Sequence, residues 1–230
     1  MTTKAAPQTD KFAGWPKAAL SFLKGLKKDN SKTYFEANRD TYEEACREPL
    51  LALVAELERE LGDEWESKVF RLNRDLRFSR DKRPYKEQMS AVFTSSKHAA
   101  GYYLQLSHEA LYTGAGSYEM GPDQVTRYRD AVAGKPGEKL VQILAKLKED
   151  GFGTSEPTLK RVPPGYPPDH PREELLRGTS AWANRTFKPA PWFHTREALT
   201  RIKETWRAAR PLTEWVDTHV KPSTQPMRHR

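Results

Sequence analysis

In KVFRLNRDLRFSRDKRPYKEQMSAVFTSSKHAAGYYLQLSHEALYTGAG, residues 68–116, the apolar positions change from a helical period to a period of two. Phe70 and Leu72 alternate with Arg71 and Asn73, the spacing of a strand with one polar face. Residues 89–94 (MSAVFT) and 102–106 (YYLQL) read as further strands. His108 and Glu109 make a turn before residues 111–113 (LYT), predicting a hairpin that ends in Gly114-Ala115-Gly116.

Outward from this block the spacing is helical on both sides. Trp15, Ala19, Phe22, Leu23 and Leu26 mark one helix face, and Thr33 with Glu36 has the form of a capping box. Phe35, Tyr42, Cys46, Leu50, Leu53, Leu57 and Leu61 then share a face. Pro49 predicts a kink or a fresh start within it, and Gly62 its end. Downstream, Pro122 opens a helix through Ala133, and Pro136 opens another through Asp150. Residues 157–171 hold six prolines and predict a stiff connector. A late strand is expected at residues 184–188 (NRTFK), then a helix at 195–209 and a restart after Pro211.

Helices around a block of hairpin-linked strands indicate an α+β fold: a mainly antiparallel sheet of about four to six strands, with N-terminal and C-terminal helices packed on it. Residues 1–11 are expected to be disordered, residues 12–220 to form a single domain, and residues 221–230 to be a disordered basic tail.

One cysteine, Cys46, allows no internal disulfide and no cysteine-based zinc site. The apolar runs fall far short of the roughly 20 residues that cross a bilayer, and the first residues lack the apolar core of a signal peptide. A cytoplasmic protein without membrane partners is therefore expected. Six scattered histidines offer no metal-binding spacing, and phosphate-loop, dinucleotide-binding and serine-hydrolase patterns are missing, so neither metal nor cofactor is expected. The sequence leaves oligomeric state open.

The net charge of +8 is local. Residues 71–86 carry Arg71, Arg74, Arg77, Arg80, Lys82, Arg83 and Lys86 against Asp75 and Asp81, a surplus of five within sixteen residues. Arginine presents a planar fork suited to phosphate or carboxylate, lysine adds a point charge, and aspartate can orient a guanidinium or act as a base. Tyr85 supplies a hydroxyl or a stacking face. On a strand, Arg71 and Arg74 fall on opposite faces unless the chain bends near Asp75. These residue types serve equally well as an ion-pair clamp that pins a loop.

The run R-x-x-R-D-x-R-F-S-x-D-K-x-P-Y-K, residues 71–86, resembles the signature of the domain of unknown function 2461 family, conserved bacterial and fungal proteins. The blocks FLKGLKKDNSKTYFEANRDTYEEACREPL (22–50), GYYLQLSHEALYTGAG (101–116) and LKRVPPGYPPDHP (159–171) are similar to the family's other blocks in the same order. Where the family often shows two asparagines after the first helix, this chain has Asp29-Asn30. The resemblance implies that Arg74, Asp75, Arg77, Asp81, Lys82, Tyr85 and Lys86 form a family-wide feature, and it implies no activity.

Elsewhere, Lys160 and Arg161 precede Pro163-Pro164-Gly165-Tyr166 on the stiff connector, where a basic pair could close over a ligand. His170, between Asp169 and Pro171, reads either as a helix cap or as an acid or base near neutral pH. Gly114 and Gly116 read either as a bend or as backbone amides open to an anion.

Three functions follow. In the first, Arg71, Arg74, Arg77, Lys82 and Lys86 bind a small phosphate- or carboxylate-bearing ligand, with Gly114, Gly116, Lys160, Arg161 and Tyr166 as further contacts. Turnover by Asp75, Asp81, Tyr85 or His170 is left open. In the second, the basic loop binds RNA or DNA, with Tyr85, Tyr102, Tyr103 or Tyr112 stacking on bases. In the third, the cluster is a structural clamp in a protein-interaction domain, with tryptophans as anchors; Trp15, Trp206 and Trp215 nevertheless sit at helical core spacing.

Overall fold

The computed structural model describes residues 11–77 and 81–225. Apart from Lys11 and residues 221–225, the two termini expected to be disordered lie outside this range, as does Arg80. The chain forms α1 (Lys17–Lys28), α2 (Lys32–Ala37), α3 (Arg39–Thr41), a π-helical turn (Tyr42–Arg47) and α4 (Glu48–Leu61). Four strands follow, β1 (Glu66–Val69), β2 (Gln88–Thr94), β3 (Gly101–Ser107) and β4 (Leu111–Ser117). Then come α5 (Pro122–Ala133), α6 (Pro136–Glu149), β5 (Gly153–Thr154), α7 (Glu173–Leu176), β6 (Ala181–Phe187), a 3₁₀ turn (Pro191–His194), α8 (Glu197–Ala208) and α9 (Arg210–His219). The α+β expectation holds: six strands form one open antiparallel sheet in the order β1-β2-β3-β4-β6-β5.

The residues divide into two compact units. One holds the described residues up to Phe93, with Leu104–Tyr112 and Thr186–Lys203; the other holds Thr94–Tyr103, Thr113–Arg185 and the chain from Glu204 onward.

In the first unit, Phe22 packs against Tyr34, Phe35 and Tyr42, which stack α1 onto the helices that follow. Gly25 makes this possible, since a Cβ there would lie 1.9 Å from the Tyr34 hydroxyl, which donates to the Phe22 carbonyl. The cap of α2 is Ser31, whose Oγ accepts from Tyr34 N–H at 3.1 Å, two residues ahead of the expected Thr33. Glu36, freed from the capping box, instead takes Arg39 in a bidentate ion pair. Pro49 acts as expected. It has no N–H and would clash with the carbonyl four residues back, so the helix widens into the π turn and restarts as α4 with Pro49 in its first turn. The other end of the unit is closed by Arg196, which binds both the Phe12 carbonyl and the Glu56 carboxylate.

In the second unit, α5, α6 and α9 bury Tyr128, Val132, Leu140, Leu144, Leu212, Trp215 and Val216 in one apolar cluster with Ala181 and Ala183 of β6. The predicted hairpin does not stop at the glycines. Strand β4 runs through Gly114 and Gly116 because β6 lies so close that Cβ atoms there would sit 2.5 Å from Ala183 O and 2.3 Å from Ala181 O. Residues 223 and 224 are held by Asp123, whose carboxylate accepts from Ser223 Oγ at 2.7 Å and Thr224 N–H at 3.0 Å. Among the described residues, no helix is long and apolar enough to cross a membrane.

Candidate functional site

The basic run belongs to the first unit, and its two ends pair with each other. Phe70 N–H donates to Ser90 O, Lys86 N–H to Leu72 O and Arg74 N–H to Pro84 O, so Asn73 faces Tyr85 across an antiparallel bridge. This ladder carries the chain beyond β1 and brings its returning arm back toward β2, with residues 75–77 and 81–83 beyond the Arg74–Pro84 hydrogen bond.

Most of those charges are satisfied within the loop. Arg74 donates from Nε to Tyr85 O at 2.8 Å and lies 3.2 Å from Asp81. Asp81 is also bound by Arg83 at 2.6 Å, and Arg83 reaches on to Glu87. Asp75 holds Arg77 through both carboxylate oxygens and accepts the Arg77 N–H. Lys82 donates to Leu76 O at 3.0 Å. The Arg77 guanidinium and N–H hold the Asp75 carboxyl down at about 2, with Arg71 adding a smaller pull. Arg83 drives Asp81 further below the usual carboxylate range, and Arg74 helps. Both aspartates are therefore ionised and very weak bases at neutral pH, poorly suited to the acid–base work considered for them.

Tyr85 is a core residue, 5% exposed, with its ring stacked on Phe35 at 4.5 Å and 19°. Its N–H donates to Asn30 Oδ1 at 2.9 Å, while Asn30 Nδ2 donates to the Leu26 carbonyl. Burial, then the Glu36 carboxylate, raises its phenol pKa. A ring packed on both its backbone and its face has little freedom to act as a catalyst or to stack on a base. Sequence spacing did not point to Asn30 as a partner for the run; its place beside Asp29 in the resembling block was the one available signal.

Lys86 is different. It is partly buried, its ammonium lies 5.2 Å from the centre of the Phe70 ring, and no carboxylate among the described residues pairs with it. Lys68 lies over the same ring at 5.7 Å. Burial lowers the Lys86 pKa, and Arg74, Arg71 and Lys68 lower it further, all of them cations. Arg71 is exposed and makes no ion pair among the described residues. The arrangement leaves positive charge facing positive charge beside an aromatic surface, and a bound anion would relieve it. Lys68 was absent from the residues singled out by sequence; its two-residue spacing from Phe70 on a strand was the usable clue.

The remaining candidates belong to the second unit. Gly114 and Gly116 are explained by the approach of β6. Tyr166 donates to Asp130 at 2.7 Å, and burial with that hydrogen bond takes its pKa to about 12. His170 accepts the Arg172 N–H at Nδ1 and lies 3.4 Å from Ala133 O, so its ring is spent at the approach to α7. Lys160 and Arg161 are exposed, and the Lys160 carbonyl accepts from Arg177. Tyr102 packs on Trp206 at 4.7 Å, whose indole N–H donates to Thr113 Oγ1 at 2.8 Å.

Residues 18–215 match the family described as "Conserved hypothetical protein (DUF2461)". No curated protein matches the chain.

Proposed function

We propose, for a chain that belongs to the DUF2461 family of conserved hypothetical proteins, that Lys86, Arg71, Arg74 and Lys68 bind a small anionic ligand bearing a phosphate or carboxylate group. The observation that carries this reading is the placement of the partly buried Lys86 ammonium beside Phe70, with cations around it and no carboxylate partner among the described residues. Unlike charges repay the cost of removing an ammonium from water, whereas like charges add to it. A phosphate or carboxylate bridging Lys86 and Arg71 would supply the missing counter-charge, and Arg71 offers the planar fork for it.

The other half of the run has a structural role. Asp75, Asp81 and Glu87 are paired with Arg77 and Arg83, and Asp81 shares Arg74, which leaves the site smaller than sixteen residues of basic sequence imply. With both aspartates held ionised, binding is favoured over turnover.

Thermal melting in phosphate and in citrate, at matched ionic strength against chloride, tests the reading. Either anion should raise the melting temperature of the native protein. Lys86→Met and Arg71→Ala should each remove that rise while remaining folded. Equal melting in all three salts would sink the proposal. Tight binding to a mixed single-stranded oligonucleotide that weakens steeply with salt would favour the nucleic-acid alternative instead.

A further inference from the structure

A cavity of about 540 Å³ lies in the second unit beside β5, within the size range of small-molecule sites. Leu144, Phe152 and Leu175 supply an apolar wall. Trp182, partly buried and next to the exposed Tyr118 ring at 6.3 Å, adds an aromatic one.

Four hydroxyl-bearing residues line the same cavity: Tyr128, Thr154, Ser155 and Ser180. None of these hydroxyls has a hydrogen-bond partner among the described residues. Tyr128 is the most telling. Its side chain is 1% exposed, and its hydroxyl lies 3.5 Å from where a Cβ on Gly178, itself a lining residue, would stand. The phenol is not sealed in the core: what little surface Tyr128 keeps is at a cavity wall, where water or a ligand can complete its hydroxyl. Burial raises the Tyr128 pKa, which keeps the phenol a neutral donor.

The charged residues of the lining are Glu156 and Glu174 against Lys148, and none of the three is in an ion pair among the described residues. The two carboxylates are acceptors only, and each neutral hydroxyl can both donate and accept. With the Arg185 guanidinium 4.4 Å from the centre of the Phe152 ring, the charges around the cavity balance, which favours an uncharged occupant. A ligand that matches must offer several hydroxyls, an apolar face for the Trp182 side and no net charge.

We propose that this cavity binds a small, uncharged, hydroxyl-rich ring compound of monosaccharide chemistry. The proposal is independent of the anion site, which lies in the other unit and selects the opposite kind of ligand.

Saturation-transfer NMR with methyl glucoside, methyl galactoside, methyl mannoside and N-acetylglucosamine tests it. At least one should receive saturation with a Kd of about 1 mM or below. Tyr128→Phe removes only a hydroxyl without a protein partner, so the fold should survive and affinity should fall roughly five- to tenfold. Trp182→Leu should abolish the transfer. Transfer to none of the four, or transfer that Tyr128→Phe and Trp182→Leu both leave unchanged, overturns the proposal.

Discussion

Asn30 holds Tyr85 by accepting its backbone N–H at 2.9 Å, across 55 residues of sequence, while the same amide donates to the Leu26 carbonyl at 3.1 Å. One side chain thus ties the C-terminal end of α1 to the returning arm of the basic run. Both hydrogen bonds are partly buried, so their loss is not readily made good by water. Asn30→Ala is expected to cost about 1–3 kcal/mol in urea unfolding. Asn30→Asp, which keeps the acceptor and loses the donor, should cost less. Equal stability for all three proteins would show that the clasp contributes nothing.

Tyr85 separates a core role from a catalytic one. Its ring stacks on Phe35, and the packing does not need the hydroxyl. Tyr85→Phe should therefore keep stability within about 0.5 kcal/mol, whereas Tyr85→Ala should lose roughly 3–5 kcal/mol as a large cavity opens. Anion-induced stabilisation should persist in Tyr85→Phe. Its loss in that variant would return the phenol to the ligand site.

The Asp75–Arg77 pair has a defined pH signature. The folded carboxyl sits at about 2, below its ordinary value of 3.8, so the stabilisation is fully present above the ordinary value and disappears as the pH falls through the folded one. Comparing the native protein with Asp75→Asn by denaturant unfolding should give a constant difference near neutral pH, shrinking below about pH 4. The pair is exposed and screened, so the difference should be small and should diminish further with salt. A difference that grows on acidification would contradict the assignment.

Lys86 has the opposite sign. Its folded pKa lies below the ordinary 10.5, so the folded state holds that proton less tightly than the unfolded chain does. Charged Lys86 thus weakens the fold at neutral pH, and stability recovers as the pH rises through the lowered value toward 10.5. Lys86→Met is expected to melt above the native protein at neutral pH in chloride, with the gap closing in strong alkali and in phosphate. A destabilised Lys86→Met would mean that packing of the lysine stem outweighs the charge.

Gly116 combines two constraints. Its φ is +127°, and a Cβ would stand 2.3 Å from the Ala181 carbonyl oxygen, so Gly116→Ala should cost about 3 kcal/mol or more in thermal or urea unfolding. Gly62, with φ +98°, ψ 168° and open space around it, isolates the backbone contribution; Gly62→Ala should cost about 1–3 kcal/mol. Similar losses at both positions would mean that β6 can retreat from β4.

The architecture was readable because periodicity is local. Ala19 to Leu26 repeat at helical spacing and lie in α1, with Trp15 just ahead of it, and Pro49 restarts a helix at α4. The hairpin-linked strands become β2 to β4, whereas Phe70 and Leu72, read as strand, lie just past the end of β1 at Val69. Cap position and strand length depended on neighbours instead. Ser31 and not Thr33 caps α2, where Tyr34 both donates to it and packs on Gly25, and β4 runs through its glycines because β6 lies against them.

The chemistry of the basic run divides along the same line. Residue types alone established that positive charge is concentrated between Arg71 and Lys86, since composition counts charges without knowing their partners. Which charges cancel is a matter of distance, and distances arise from folding. Tertiary structure joined Asp81 to Arg74 and Arg83, closed Asp75 onto Arg77 and buried Tyr85 against Phe35. Among the described residues it left Lys86 beside cations and an aromatic ring with no acid paired to it, a condition that Coulomb's law makes costly and that the order of amino acids does not display.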